Sequence, residues 1–175
     1  MFSDRIKLIF FILPVIISGC QPTLKREYWP NGNLKSEIHV HGELYHGKAT
    51  WWYENGIKQL ECVYVNNLLD GILIRWYENG VKQEEKNFKS NKPDGNFTSW
   101  DAAGKIHIFG SYKQGLLDGS YKEWYPEKNL KAEGYYKSGE FDRQWIFYDK
   151  NGQVIEIRNY SNGKLLNRTG KQISN

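Results

Sequence analysis

The sequence has two cysteines and four histidines in 175 residues, and each scarcity removes a class of protein. Cys20 and Cys62 are too few for the framework of a disulfide-stapled domain, so stability has to come from packing. His39 and His41 stand two apart, on one face of an extended segment, with His46 a turn away. With no carboxylate or thiolate fixed beside them they fall short of a metal site. No Gly-rich loop opens a helix, no Ser or Cys nucleophile stands beside a base, and Glu84 and Glu85 point to opposite faces of a strand. These gaps argue against an enzyme and imply neither cofactor nor metal. The formal charge of +4 is small and spread along the chain, unlike the one-sided basic patch of a nucleic-acid binder. After Ile17 no segment keeps a 3.6-residue apolar period, so the body of the chain is expected to lack helices.

The single long apolar run, Leu8 to Ile17, follows Arg5 and Lys7 and ends in Ser18-Gly19-Cys20. A charged start, a short apolar stretch and small residues at its end describe a secretory signal. A membrane-spanning helix needs roughly 20 apolar residues, and this run is about half as long and contains Pro14. Residues 1–19 are therefore read as a signal peptide with a helical apolar run. Ile17-Ser18-Gly19-Cys20 further resembles the lipobox of bacterial lipoproteins. That resemblance implies cleavage before Cys20, diacylation of its thiol and a lipid anchor of several chains, since one chain alone binds only marginally. Gln21, where an Asp would retain such a protein at the inner membrane, favours the outer membrane in a cell that has two. Residues 20–27, with Pro22, then read as a tether at the cell envelope.

Aromatic residues are plentiful, 15% of the chain, and they are periodic. Tyr28, Trp52, Trp76, Trp100, Trp124 and Tyr148 are spaced 24 apart; Tyr64, Phe88, Tyr112, Tyr136 and Tyr160 keep the same step, with Val40 in the first slot. Asp70, Asp94, Asp118 and Asp142 form a third series, preceded by His46, and Asn67, Asn91, Gly115, Gly139 and Gly163 a fourth. Several interleaved series in one register mean stacked repeats. About six units fill residues 28–166, leaving 167–175 as a polar tail.

Within a unit, Asn55-Gly56 lies between two apolar runs, the strongest short-range hairpin signal, and predicts a type I′ turn. Ala103-Gly104 and Lys128-Asn129, at the same place in later units, predict turns of another type. Leu60, Cys62 and Tyr64 alternate as on a half-buried strand, with Cys62 a small hydrophobe. A second turn at Asn66-Asn67 leads through Asp70-Gly71 into the next strand, and the Asp series reads as turn chemistry rather than as a metal or acid site. An isolated hairpin is marginal in water. The expected fold is all-β: an elongated antiparallel meander of stacked hairpins, each touching only its neighbours. The strict period assigns Trp52, Trp76, Trp100 and Trp124 to core rungs and leaves Trp29, Trp51 and Trp145 over. Trp51 and Trp52 face opposite ways in a regular strand, so one is expected to be exposed, and Trp51 is the first candidate for binding.

The unit aromatic-Tyr-x-Asn-Gly-x-x-Lys followed by Tyr-x-x-Gly-x-x-Asp-Gly resembles the MORN repeat, in the variant found in bacterial proteins often described as antitoxins of the YwqK type. The resemblance runs from Tyr28 to Leu166 and departs from the pattern at His46, Lys128-Asn129 and Arg143. It implies a twisted sheet of hairpins, contact with partners or membranes, and no catalytic residues. Three functions are consistent with these features. The first is a membrane-anchored, non-enzymatic scaffold for a protein partner; the others are a cell-wall or carbohydrate-binding lipoprotein and an antitoxin or immunity-like factor.

Overall fold

Residues 21–170 are described by a computed structural model. Residues 1–19, read above as a signal peptide, Cys20 and residues 171–175 lie outside the described residues. In the described part the elements are β1 (Thr23–Tyr28), β2 (Leu34–His41), β3 (Leu44–Trp52), β4 (Lys58–Val65), β5 (Leu68–Leu69), β6 (Gly71–Trp76), β7 (Lys82–Lys89) and β8 (Lys92–Trp100). They continue with β9 (Ile106–Lys113), β10 (Leu116–Leu117), β11 (Gly119–Trp124), β12 (Leu130–Lys137), β13 (Glu140–Tyr148), β14 (Val154–Ser161) and β15 (Lys164–Gly170). All fifteen join one sheet, antiparallel and paired in chain order, with β5 and β10 as stubs on β4 and β9. The meander of hairpins is as expected, but its limits are wider. β1 takes in residues 23–27, expected to be tether, and β15 takes in 167–170, expected to be tail, because an exposed polar strand still finds ladder partners in β2 and β14.

The type I′ turn expected at Asn55-Gly56 is not formed there. Asn55 has a negative φ and only Gly56 is left-handed, at φ +84°. The Gly56 N–H donates to the Tyr53 carbonyl at 2.9 Å and the Tyr53 N–H to the Ile57 carbonyl at 2.8 Å, a three-residue loop closed by a left-handed residue. Asn55 serves by its side chain: Oδ1 accepts the Ile57 N–H at 2.9 Å, and Nδ2 donates to the Glu78 carbonyl of the next unit at 3.1 Å. The type I′ geometry belongs instead to the opposite ends of the hairpins, where Asn66 and Asn67 (φ 50° and 67°) and Ser90 and Asn91 (φ 48° and 66°) are both left-handed.

Ala103-Gly104 and Lys128-Asn129 do not adopt another turn. Each keeps the same pair of bonds, Gly104 N–H to the Asp101 carbonyl and Lys128 N–H to the Tyr125 carbonyl, and Lys128 is forced to φ +79°. The neighbouring units dictate the loop and the residue yields. Lys128→Gly is therefore expected to raise stability in urea denaturation by about 0.5–1 kcal/mol, the left-handed strain relieved less the entropy of a freer unfolded chain.

Each of these loops is followed by a bulge, with the register slipping at Trp51/Trp52, Arg75/Trp76, Ser99/Trp100 and Glu123/Trp124. In each bulge the extra residue lies on the strand after the loop, as Gln59 does opposite Trp51 and Trp52, and it bends and twists that strand locally. Trp51 and Trp52 are both half-buried, so neither is the exposed ring expected of the pair.

All the strands belong to one sheet, so burial comes mainly from side chains of one face covering each other, with Thr50 buried on the other face beside Ala49. The buried hydrophobic residues are Val40, Ala49, Cys62, Leu73, Phe97, Ala132 and Trp145, and the core is not the tryptophan series. Trp52, Trp76, Trp100 and Trp124 are half-buried, whereas Trp145, left over in the periodic reading, is 2% exposed. The core row follows the cross-strand pairs Ala49 with Cys62, Leu73 with Lys86, Phe97 with Gly110 and Tyr121 with Gly134. One member grows along the array, from Ala through Leu to Phe and Tyr, and the two aromatic members stand opposite glycines. A Cβ on Gly110 would lie 2.7 Å from Phe97 Cε1, and one on Gly134 would fall into the Trp145 ring. These two glycines are there for space. The Tyr64 series joins the same face through intermediates: Tyr45 to Tyr64 at 5.5 Å, Tyr136 to Phe141 at 5.1 Å and Phe141 to Tyr160 at 5.1 Å between ring centroids.

Candidate binding site

Because every unit repeats the last, a site is legible as a departure from the repeat. Two residues along from the core row, on the same face, runs the row Trp51, Leu60, Arg75, Glu84, Ser99, Ile108, Glu123, Ala132, Phe147. It is apolar at Trp51 and Leu60 and again at Ala132 and Phe147. In between, Arg75, Glu84, Ser99 and, past Ile108, Glu123 interrupt it, and Lys86 interrupts the core row beside the first three.

The interruption is organised around Glu84. Lys86 Nζ lies 2.5 Å from Glu84 Oε1, and Arg75 Nε lies 3.7 Å from Glu84 Oε2. The Lys86 side chain is 19% exposed, and its ammonium lies 5.5 Å from the Tyr112 ring centroid and 5.8 Å from that of Phe97. Partly desolvated cations of this kind gain from aromatic faces. Beside them opens a shallow groove of about 420 Å³ bordered by Arg75, Tyr77, Glu84, Ser99, Trp100 and His107. The Tyr77 hydroxyl donates to the Trp100 carbonyl at 3.0 Å, which ties the groove wall to the next unit. Ser99 Oγ is buried and has no hydrogen-bond partner.

Trp51, the candidate from sequence, packs against the cluster of Ala49, Cys62 and Leu73. Burial pushes the Cys62 thiol up to about 11, away from nucleophile or ligand behaviour. The Asp series does turn chemistry, but across units: Asp70, Asp94 and Asp118 accept the N–H groups of Ser90, Gln114 and Ser138 at 3.0–3.2 Å. His39 Nδ1 lies 2.7 Å from the Lys48 carbonyl, and the His41 and His46 rings meet edge to face at 6.1 Å. Among the described residues no three His, Cys, Asp or Glu side chains are grouped to hold a metal ion. The Arg75–Ser99 groove was missed from sequence, although the signal is there: residues 51, 75, 99, 123 and 147 read as one column are aromatic at the ends and polar or charged at Arg75, Ser99 and Glu123.

A family model described as the MORN repeat variant matches residues 24–41, 45–66, 69–90, 117–138 and 144–162. The stretch between the third and fourth matches, 91–116, holds Ser99, Trp100 and His107 of the groove. No curated protein matches the sequence. The matched repeats cover more than half of the chain, and the protein belongs to the MORN repeat variant family.

Proposed function

We propose that the protein is a membrane-anchored, non-enzymatic repeat scaffold that binds a protein partner in the bacterial envelope. The observation that carries the docking role is the apolar surface left on adjacent strands: Val63, Val65, Leu68 and Ile72 are between 36% and 47% exposed. Contiguous exposed apolar groups mark interaction surfaces, and a single-layer sheet held rung to rung presents them on a stiff frame. The anchor rests on the sequence from Leu8 to Cys20, which ends at a lipobox-like cysteine only a few residues before the first strand. The sheet would then sit close to the lipid surface.

The anchor is tested by Cys20→Ser, which is expected to move the protein from the membrane fraction to the soluble one; retention in the membrane fraction would refute it. Docking is tested by crosslinking in intact cells, where a single specific adduct is expected to weaken on Val63→Asp or Ile72→Asp. A second reading, a cell-wall or carbohydrate ligand, draws on the Tyr77 and Trp100 rings at the groove, since aromatic faces suit sugar rings. Retention on purified cell wall that is lost in Trp100→Ala would favour it.

A further inference from the structure

The last strand of the sheet offers more than a generic docking face, and the inference from it rests on the scaffold reading. We propose that β15 takes up an extended segment of the partner protein as an added antiparallel strand, one that carries an Asp or Glu two residues before an apolar side chain.

The two ends of the array are finished differently. β1 and β15 each pair on one side only, so each leaves a row of backbone N–H and C=O groups open to a further strand. At the β1 end Thr23, Lys25 and Glu27 stand on the core face, opposite Val40, Ile38 and Ser36. They close it with the polar outer surface that a terminal repeat needs. At the β15 end the apolar row is left open. Phe141 lies 5.1 Å from Tyr136 and 5.1 Å from Tyr160 between ring centroids, and the next position, Leu165 opposite Tyr160, is 42% exposed. Leu166 beside it is 59% exposed, and every residue of β15 is exposed. An added strand would continue the row and pair with the open backbone, the way sheets take up extended segments.

Charge decides what that strand is. β15 carries Lys164 and Arg168 and no acid. Arg168 stands on the core face opposite Arg158, with its side chain 71% exposed. Its one ion pair among the described residues is a 4.0 Å contact to Glu156, a carboxylate that Arg158 already holds at 2.6 Å. Cations on an edge repel a strand of like charge, which sets β15 against β15 of a second copy. Residues 171–175, Lys-Gln-Ile-Ser-Asn, add another cation and no acidic side chain. A head-to-tail copy meets a different obstacle. Thirteen strands alternate in direction from β1 to β15, so the two edges run the same way and would pair in the weaker parallel ladder.

A strand with an acidic residue answers the edge. Running antiparallel, it passes Arg168 before Leu165. Leu166 is the extra residue of a bulge, so the positions facing Arg168 and Leu165 are two apart, as Arg158 and Tyr160 are on β14. Side chains two apart share one face of a strand, and the order acid, any residue, apolar residue follows.

The test uses the full chain in detergent micelles and a displayed library of random twelve-residue peptides. Retained peptides are expected to share an Asp or Glu two residues before an apolar one. Hydrogen exchange should find the outward-facing amides of β15 open in the free chain and protected in the complex, with β1 unchanged. Methylating the peptide's amide nitrogens one at a time should weaken binding about tenfold or more at alternate positions only, those that face the edge. Arg168→Glu should weaken the acidic peptides about tenfold, attraction lost and repulsion gained, and should favour the same peptides with Lys in place of the acid. Leu165→Ser should cost a few fold and Arg26→Gln, on β1, nothing; matching thermal unfolding curves would show that these variants fold. Peptides without the pattern, binding unchanged by Arg168→Glu, or protection elsewhere than on β15 would overturn strand addition and leave the scaffold standing. Protection of the outward-facing β15 amides in the free chain would do the same, assigning the edge to a second copy if it grows with protein concentration and to the chain's own tail if it does not. No retained peptide, alongside a partner captured by crosslinking in cells, would overturn strand addition alone; no peptide and no partner would overturn both readings.

Discussion

Trp145→Ala is expected to cost about 3–5 kcal/mol in urea denaturation, the penalty for emptying a fully buried large aromatic site. Trp145 is 2% exposed, its indole N–H donates to the Tyr135 carbonyl at 3.0 Å, and its ring lies 4.5 Å from Phe141 and 5.0 Å from Tyr136. In a stacked array each unit answers only to its neighbours, so the damage should be local. Amides of β12 to β14 should exchange first while those of β3 and β4 keep their protection. A loss below about 1 kcal/mol, or uniform loss of protection, would contradict this account. The partner residue gives the complementary result. Gly134→Val places atoms where the Trp145 ring lies and is expected to cost about 1–3 kcal/mol or more by overpacking. In the Trp145→Ala background the same change should cost little, because the space is vacant, with a coupling of about 0.5–3 kcal/mol.

Cys62 is expected to react with iodoacetamide at least about 100-fold more slowly in the folded chain than in the unfolded one. The Cys20→Ser chain, in which it is the sole cysteine, is suited to the measurement. Its thiol is pushed from 9.0 up to about 11 by burial. Two pH units mean about a hundredfold less thiolate near neutrality, before steric protection is counted. The same shift makes stability depend on pH. Below pH 9 the thiol is protonated in both states and its contribution is fully present. Between pH 9 and 11 the unfolded thiol ionises while the folded one resists, so stability falls with rising pH, by about 2–3 kcal/mol once past 11. Burial also raises Tyr64 and Tyr136, and lifts Tyr121 and Tyr148 to about 12, so their losses have the same sign at higher pH. The protein should melt at falling temperatures from pH 9 upward. Rapid labelling at pH 8 without denaturant, or a flat melting profile to pH 11, would show that Cys62 is not buried.

Period and class were legible because hairpin chemistry is local. Two turn signals in every 24 residues, an alternating strand and no helical period leave little besides a meander. The role of the Asp series was legible too, although its carboxylates cap the next unit's turn, a partner 20 residues away that no local pattern names. The turn types were not legible. Asn-Gly accepts either a type I′ turn or the loop that ends in a left-handed Gly, and the bulge shared by all the units selects the second, even at Lys128. The exposure of each tryptophan was not legible either, since alternation names the face of a side chain but not what covers it, and Trp51 and Trp52 are both half-buried.

The sequence by itself determined the unit length, the all-β class, the chain-order pairing and the family, because these follow from short-range turn chemistry repeated in one register. Tertiary structure alone decided which aromatic is core and where the repeat departs from itself to make a groove. Those outcomes depend on side chains from neighbouring hairpins meeting across strands. Trp145 is buried because Gly134 stands opposite with no side chain, and Arg75 is left with unspent charge because Lys86 has already taken Glu84.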